Sequence, residues 1–437
     1  MRRFVPASLA VLAALALRPP AASAGTDARL FVLAKTWIVS FRDSTFNPGG
    51  LTVPALGWRR GPLSELDATA EFETDALSLH WRLDLQGSLG QRDDGSWRRE
   101  LKAGQFYLQK DLSSSWLLAA GRSIQRWGTG YVFNPTDVAA PDRELGDPEN
   151  DERRAVGLDL VKLEHYTAKS SLALCVLSRL DTRGAWRLES PRLALRYYIN
   201  AWDSDLSFIA LISRNETPVL GLNASRVFGE RLEVHGEAAF QMNSYGLYHA
   251  AALAAPAAGP LLDDFKRDDG KLYLQGLLGF QYTFPGDVLW VAEFYHRGQG
   301  YSAAEWGRVV DYVRGSNGGG TGSEEATGAA GDALGRALSG LAVYSPKGAL
   351  RDYLVNYLEN LGAGAGAGTG AAGLAWRIGW LLNLADRSGV VFPELRLVLR
   401  SGFTFYLRSY IFLGGEASEF GAFPRSRTLE GGLRFRL

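Results

Sequence analysis

The chain has 437 residues, with 47 Lys and Arg against 47 Asp and Glu, so its formal net charge is +0 at pH 7. That balance argues against a nucleic-acid partner and gives no general steering field. The single cysteine, Cys175, excludes an intrachain disulfide and any zinc site built on cysteine clusters.

The chain opens on a segment that reads as a secretory signal. Arg2 and Arg3 supply the charge, Leu9 to Leu17 the apolar run, and Ala22-Ser23-Ala24 an A-x-A cleavage site. Residues 1–24 are therefore read as a signal peptide and 25–437 as the mature unit. Beyond residue 25 no run of about 20 apolar residues occurs, so no membrane-spanning helix is expected.

The following segments alternate with period two, the pattern of a strand with one apolar and one polar face. Leu77, Leu79, Trp81, Leu83 and Leu85 alternate with Ser78, His80, Arg82, Asp84 and Gln86. The same holds for 232–241, 271–284, 288–297, 394–400, 403–413 and the terminal 428–437. Weaker alternation covers roughly 30–41, 67–73, 99–110, 115–124, 155–165, 169–180, 191–200, 203–213, 217–227, 351–358 and 373–384. Phase slips near Gln105 and Val161 predict bulges. The segment 351–358 also fits a helix.

Such strands suit a soluble sandwich or a wall between lipid and a polar lumen. Connection lengths discriminate. Counting back from the C-terminus, alternate connections are tight: Ser401-Gly402, Pro285-Gly286, Phe228-Gly229-Glu230, Ala201-Trp202, Thr167-Ala168, Leu112 to Ser114 and Thr74-Asp75-Ala76. The others, 42–66, 88–98, 125–154, 243–270 and 298–350, are long, with 214–216 a short exception. Outer-membrane barrels sort their loops in this way. The expected fold is all-β: one transmembrane antiparallel up-and-down barrel of about 18 strands (about 16–18), with short periplasmic turns and long extracellular loops. The Gly-Ala-rich stretch 361–372 is long for an inner turn, and Gly315 to Ala330 is a low-complexity part of the loop 298–350.

The predicted lumen face carries Arg82, Arg192, Arg196, Arg297, Arg396, Arg400, Arg408, Arg434 and Arg436, with Asp84, Glu233, Glu237, Glu293, Glu394 and Glu430. Arginines concentrate on the last three strands. They form either a basic strip that favours anionic solutes or cross-strand ion pairs that stiffen the wall. The candidate solute path is Arg82, Asp84, Arg192, Arg196, Arg396, Arg400, Arg408, Arg434 and Arg436.

A second feature is the string Gly121-Arg122-Ser123-Ile124-Gln125-Arg126-Trp127-Gly128-Thr129-Gly130-Tyr131-Val132-Phe133-Asn134-Pro135-Thr136-Asp137. It leaves a strand and enters a long loop whose glycines permit tight backbone and whose aromatics need a surface. Either the loop folds into the barrel and narrows it, with Arg122, Arg126, Trp127, Asn134 and Asp137 at the constriction, or the string only anchors the loop. The string resembles a motif of outer-membrane porins of the alginate-export and carbohydrate-selective group. Arg122, Trp127, Gly128, Gly130, Asn134, Pro135 and Asp137 match, and Ser123 stands in place of glutamine. A weaker echo is Glu419-Phe420-Gly421. The resemblance implies a monomeric barrel that passes sugars, uronate polymers or similar small solutes.

Neither a Gly-x-Ser-x-Gly elbow nor a His-Glu-x-x-His helix occurs, and the histidines His80, His165, His235, His249 and His296 suggest no triad. The expected function is a porin-like channel for small polar, anionic or carbohydrate solutes. A non-conducting structural or assembly barrel is the alternative, and a barrel-borne hydrolase the third reading. No cofactor or metal is expected. The expected partners are outer-membrane lipid and lipopolysaccharide, a small polar solute and the barrel-assembly machinery, with no nucleic acid. The charged stretch 141–154 is read as a solvated loop.

Overall fold

The computed structural model describes residues 26–47, 62–76, 79–91, 96–140, 155–181, 187–214, 217–244, 248–249, 252, 262–263, 267–314, 348–360, 373–399 and 402–436. The expected signal peptide, the charged stretch 141–154, the low-complexity tract and the 361–372 connection lie outside the described residues.

An 18-stranded antiparallel sheet closes on itself. In chain order the strands are β1 (Thr26–Phe41), β2 (Pro62–Ala76), β3 (Leu79–Gln91), β4 (Trp97–Ser113), β5 (Trp116–Ser123), β6 (Leu158–Tyr166), β7 (Ser170–Asp181), β8 (Arg187–Ala201) and β9 (Ser204–Ser213). They continue as β10 (Val219–Phe228), β11 (Leu232–Ser244), β12 (Arg267–Phe284), β13 (Val288–Arg297), β14 (Asp352–Asn360), β15 (Gly373–Asn383), β16 (Gly389–Val398), β17 (Phe403–Leu413) and β18 (Arg425–Arg436). Each pairs with its sequence neighbours. β1 also pairs with β18, from Phe31 opposite Arg436 to Ile38 opposite Leu429. That closure satisfies the last free edge, the condition for a sheet in hydrocarbon.

The alternation reads out directly as two faces. Outward positions such as Leu220, Leu278, Phe208 and Leu407 are exposed, while inward neighbours such as Tyr273, Glu293, Tyr406 and Arg408 are buried. Among the described residues no helix is long and apolar enough to cross a membrane. The segment expected at 351–358 is strand β14, so its helical alternative is removed.

Inner turns are tight as expected. Trp202 and Asp203 take φ of 54° and 55°, the left-handed pair of a two-residue hairpin turn. The outer side is less uniform. The connection expected at 88–98 shrinks to 92–96, because β3 and β4 run further; 182–186, 214–218 and 384–388 are short too. The bulge expected near Gln105 is present: Asp84 faces Gln105, whereas Leu85 faces Ala103. No register shift occurs at Val161. There the apparent slip arises because Leu160 is an apolar residue on the inward face, buried with Trp127.

The outer connection between β13 and β14 contains α1 (Ala303–Arg314), and that between β17 and β18 contains α2 (Glu419–Ala422). Helix α1 starts with a capping box: the Glu305 carboxylate accepts from Ser302 N at 2.7 Å, and Glu305 N donates to Ser302 Oγ at 3.3 Å. Trp306, Val309, Val310 and Val313 form one apolar stripe. It packs with Phe46 of the first outer loop, Phe133, Leu350 and Phe420 in one buried cluster. Sequence reasoning placed this region in a loop. Ser302-x-x-Glu305 followed by Trp306, Val309, Val310 and Val313 is the signal that identifies the helix.

Candidate functional site: the lumen and loop 3

The connection between β5 and β6 is loop 3, residues 124–157, of which 124–140 and 155–157 are described. Residues 126–139 turn into the barrel and run along the inner wall from β6 to β14. Trp127 and Ala139 are buried against an apolar patch formed by Leu160, Ala173, Cys175, Leu177, Ala194, Ile209 and Leu211 on β6 to β9. Farther on, Phe133 stacks on Tyr295 of β13 and tilts against Tyr353 of β14.

Within the loop, Asp137 organises the Trp-Gly segment. Its Oδ1 accepts from Trp127 N at 2.5 Å and Gly128 N at 2.8 Å, and its Oδ2 accepts from Arg126 Nη1 at 3.2 Å. Gly130 is required by close approach: a Cβ there would lie 2.0 Å from Phe133 O and 2.5 Å from Leu277 Cδ2.

Two inward carboxylates of the wall then hold the loop. Glu237 of β11 accepts from Thr129 N at 2.5 Å and Gly130 N at 2.8 Å on Oε1. On Oε2 it accepts from Thr136 N at 2.9 Å and Thr136 Oγ1 at 2.7 Å. Glu293 of β13 accepts from Tyr131 N at 2.5 Å, Val132 N at 3.0 Å and Phe133 N at 3.4 Å. Consecutive amides converging on one carboxylate form an anion-holding concavity, here with the anion supplied by the wall. His235 lies between the clamps, its Nε2 3.1 Å from Glu293 Oε1, and Tyr131 donates its hydroxyl to Glu233 Oε2 at 2.9 Å. Asn223 Nδ2 of β10 donates to Trp127 O at 2.7 Å.

Beside the start of loop 3 the inner wall encloses a cavity. This cavity of about 520 Å³ is lined by Arg29 and Phe31 of β1, Glu71 of β2, Arg82 and Asp84 of β3, Gln105 and Tyr107 of β4, residues 123–126 and Arg436 of β18. Its walls thus carry four arginines and two carboxylates, with Arg29, Arg82 and Arg126 ion-paired to Asp27, Asp84 and Asp137.

The arginines of the last strands are arranged differently. Glu359 of β14 is paired with Arg377 of β15 and Arg396 of β16. Arg396 Nε also lies 3.4 Å from Glu394, Arg408 lies 3.5 Å from Glu394, and Arg408 Nη2 donates to Glu430 Oε1 at 2.9 Å. This is an alternating ladder of charges across five strands, all of it inward and largely buried. Arg408 also packs by the rings of Tyr406 and Tyr410. Arg434 sits over Tyr406, its guanidinium 4.5 Å from the ring centre, and Arg436 over Phe31.

Of the residues proposed from sequence, Arg82, Asp84, Arg126 and Arg436 meet at the cavity. Arg396 and Arg408 lie in the ladder, with Arg434 beside it. Arg192 and Arg196 line the inner face of β8, where Arg196 donates to Ser207 Oγ at 3.2 Å. Arg400 lies outside the described residues. Trp127, Asn134 and Asp137 are within the folded-in loop; Asn134 O closes a turn with Asp137 N at 3.2 Å. Arg122 is not at a constriction. It shares the outward parity of Leu118, and its Nε donates to Asp159 Oδ1 across the strand pair at 2.8 Å. Sequence reasoning missed Glu359 and Arg377 in the ladder, because their strands alternate weakly. It placed Glu237 and Glu293 on the lumen face without their loop contacts, which join residues more than a hundred positions apart.

The other histidines occupy structural places. His80 bridges Asp75 and Glu73, and His296 pairs with Asp352. Among the described residues no group of three or more metal-ligating side chains is suited to a metal ion.

The outer mouth has its own knot. Glu419 of α2 is fully buried and accepts from Ala349 N and Asn383 Nδ2 at 2.5 Å and from the Tyr353 hydroxyl at 2.8 Å. Burial pushes its carboxyl above the ordinary glutamate range, against the lowering effect of those donors.

The sequence matches no family model and no curated protein. In fold it is similar to the crystal structure of OccK11 (OpdR) from Pseudomonas aeruginosa, at 12% identity and a TM-score of 0.52, covering 94% of this chain and 96% of that one. It is also similar to OccAB1 from Acinetobacter baumannii, at 10% identity and a TM-score of 0.53, with 94% and 96% covered. OccK5 (OpdH) from Pseudomonas aeruginosa gives 11% identity and a TM-score of 0.50, with 94% and 98% covered. All three carry Occ names, and none of the three names the alginate-export or carbohydrate-selective group that the loop-3 string resembles. At such identities the likeness establishes the fold alone, a closed 18-stranded antiparallel barrel.

Proposed function

We propose that this chain is an outer-membrane channel through which small polar solutes diffuse without an energy source, with a mild preference for anions. The observation that carries this reading is the cavity of about 520 Å³ between loop 3 and the β1–β5 wall. Rings and strips of arginine favour anionic solutes, and here the arginines at the cavity are Arg29, Arg82, Arg126 and Arg436, of which Arg436 alone comes from the last three strands. The exposed apolar girdle is the contact with outer-membrane lipid, and lipopolysaccharide and the barrel-assembly machinery are the further partners we assign. The loop-3 string supports sugars or uronates as the solute class.

A second reading, a non-conducting barrel in an envelope assembly, is favoured by helix α1 and its apolar cluster packed at the outer mouth. Conductance of the purified protein in planar bilayers decides between them. Discrete current steps, with a reversal potential displaced toward the anion side in a salt gradient, are expected of the channel. Absence of steps at any voltage sinks it.

A further inference from the structure

We infer that Glu237 and Glu293 are positioning residues of the solute path: they hold residues 126–137 of loop 3 across the β6–β13 half of the lumen and confine passage to the β1–β5 side. This rests on the channel reading only for its second half; the clamp itself stands on geometry.

Three observations converge. First, both oxygens of Glu237 are engaged by loop 3, as are both oxygens of Glu293, so the loop donates its main-chain amides at 129–133 and 136 to the wall and not to water. Buried amides without acceptors would be costly. Second, both carboxylates are themselves buried, Glu293 completely. Without the loop they would face a water-filled lumen, and their burial is sustained by the amides that surround them. Third, the wall beneath Trp127 is apolar: Leu160, Ala173, Cys175, Leu177, Ile209 and Leu211 all point inward. An inward face washed by water is polar in such barrels. This stretch of wall therefore carries the composition of a surface that is covered, which marks the loop as resident. By contrast, the inward residues of β2 and β3 at the cavity are Glu71, Arg82 and Asp84, the composition of a wetted wall.

The consequence is that the amide-carboxylate clamps set the width of the path. The test uses the complete folded barrel and its one native thiol. Cys175 is inward and fully buried in the patch that Trp127 covers. In Glu237→Gln/Glu293→Gln each amide nitrogen would oppose loop donors that now meet an oxygen. The double variant should label at Cys175 with a water-soluble maleimide, where the native barrel stays protected. Its single-channel conductance should rise about twofold as the covered half of the lumen is added to the path. Thr136→Val, which removes the hydroxyl that donates to Glu237 at 2.7 Å and accepts from Asn223 Nδ2 at 2.9 Å while leaving both wall carboxylates in place, should move both readouts in the same direction and serves if the double variant does not fold. Rapid labelling of the native barrel, or variants that stay protected with unchanged conductance, would overturn the inference. Labelling of the variants with no current in any protein would uphold the clamp and defeat the channel reading.

Discussion

Phe133 of loop 3 lies flat on Tyr295 of β13, their ring centroids 4.2 Å apart and their planes 13° from parallel. The contact joins the tip of the folded-in loop to the wall two residues beyond Glu293, so one stretch of β13 takes both the ring and the amides. Phe133→Ala should cost about 3–5 kcal/mol of local packing, of which the ring pair supplies about 0.5–1.5 kcal/mol. Because the strand ladder is untouched, the loss should appear as faster amide exchange at Tyr131 to Phe133 with the strands still protected. Equal exchange in both proteins would show that the stack does not hold the loop.

The charge ladder and the cavity predict opposite phenotypes for arginine substitutions. Arg408 lies between Glu394 and Glu430 with its side chain almost wholly buried. Removing it takes a cation from two buried carboxylates, leaving Glu394 with Arg396 and Glu430 with the Tyr406 hydroxyl, at a cost of about 3–5 kcal/mol. Arg408→Ala should therefore lower the unfolding midpoint in denaturant while changing ion selectivity little. Arg436, exposed at the cavity, should behave in reverse: Arg436→Ala should displace the reversal potential toward cations and leave the midpoint within about 0.5 kcal/mol of native. A selectivity change confined to Arg408→Ala would return the path to the last strands.

The barrel itself was legible from period-two alternation and from the tightness of the inner turns, since both follow from a wall with lipid on one face. Even β14, where a helix was an open alternative, falls where loop parity requires a strand. Legibility failed where the lumen departs from a plain wetted wall. Leu160 broke the alternation because Trp127 covers it, which the sequence alone reads as a bulge at Val161. Arg122, at the strand end of a motif whose later residues fold inward, points outward because one residue of register reverses the face. The clamps at Glu237 and Glu293 depend on contacts between distant segments that no local pattern encodes. Helix α1, by contrast, was written in a capping box and an apolar stripe.

That capping box gives a prediction for the outer mouth. Ser302→Ala removes the acceptor for Glu305 N and the hydroxyl that donates to the Glu305 carboxylate at 2.8 Å. Caps of this kind are worth about 1 kcal/mol. The effect should be felt where α1 meets its neighbours, at Trp306 Nε1, which donates to Ala417 O at 3.0 Å. Limited proteolysis should cut the β13–β14 connection several times faster in the variant, with the barrel intact on a heat-shift gel. Unchanged cleavage would mean that the apolar stripe alone seats the helix.

The knot at Glu419 should make the outer loops pH-sensitive, with a definite sign. Its carboxyl titrates above the ordinary glutamate range in the folded mouth because burial disfavours the charge. A group whose acid form is favoured by folding takes up a proton as the knot forms. Its contribution is fully present below the unfolded value and is lost as pH rises through the raised folded value. The knot at Glu419 should therefore be held more tightly in mild acid than at neutral pH, opposite to a carboxylate stabilised by an ion pair. Exchange at the Ala349 amide, which donates to Glu419 Oε1, reports this directly. Its protection should rise as pH falls toward the ordinary carboxylate range, once intrinsic exchange is corrected for. In Glu419→Gln the dependence should flatten, because nothing at that position titrates. A native knot that loosens in acid would show that the three donors around the carboxylate outweigh its burial, and would reverse the assignment.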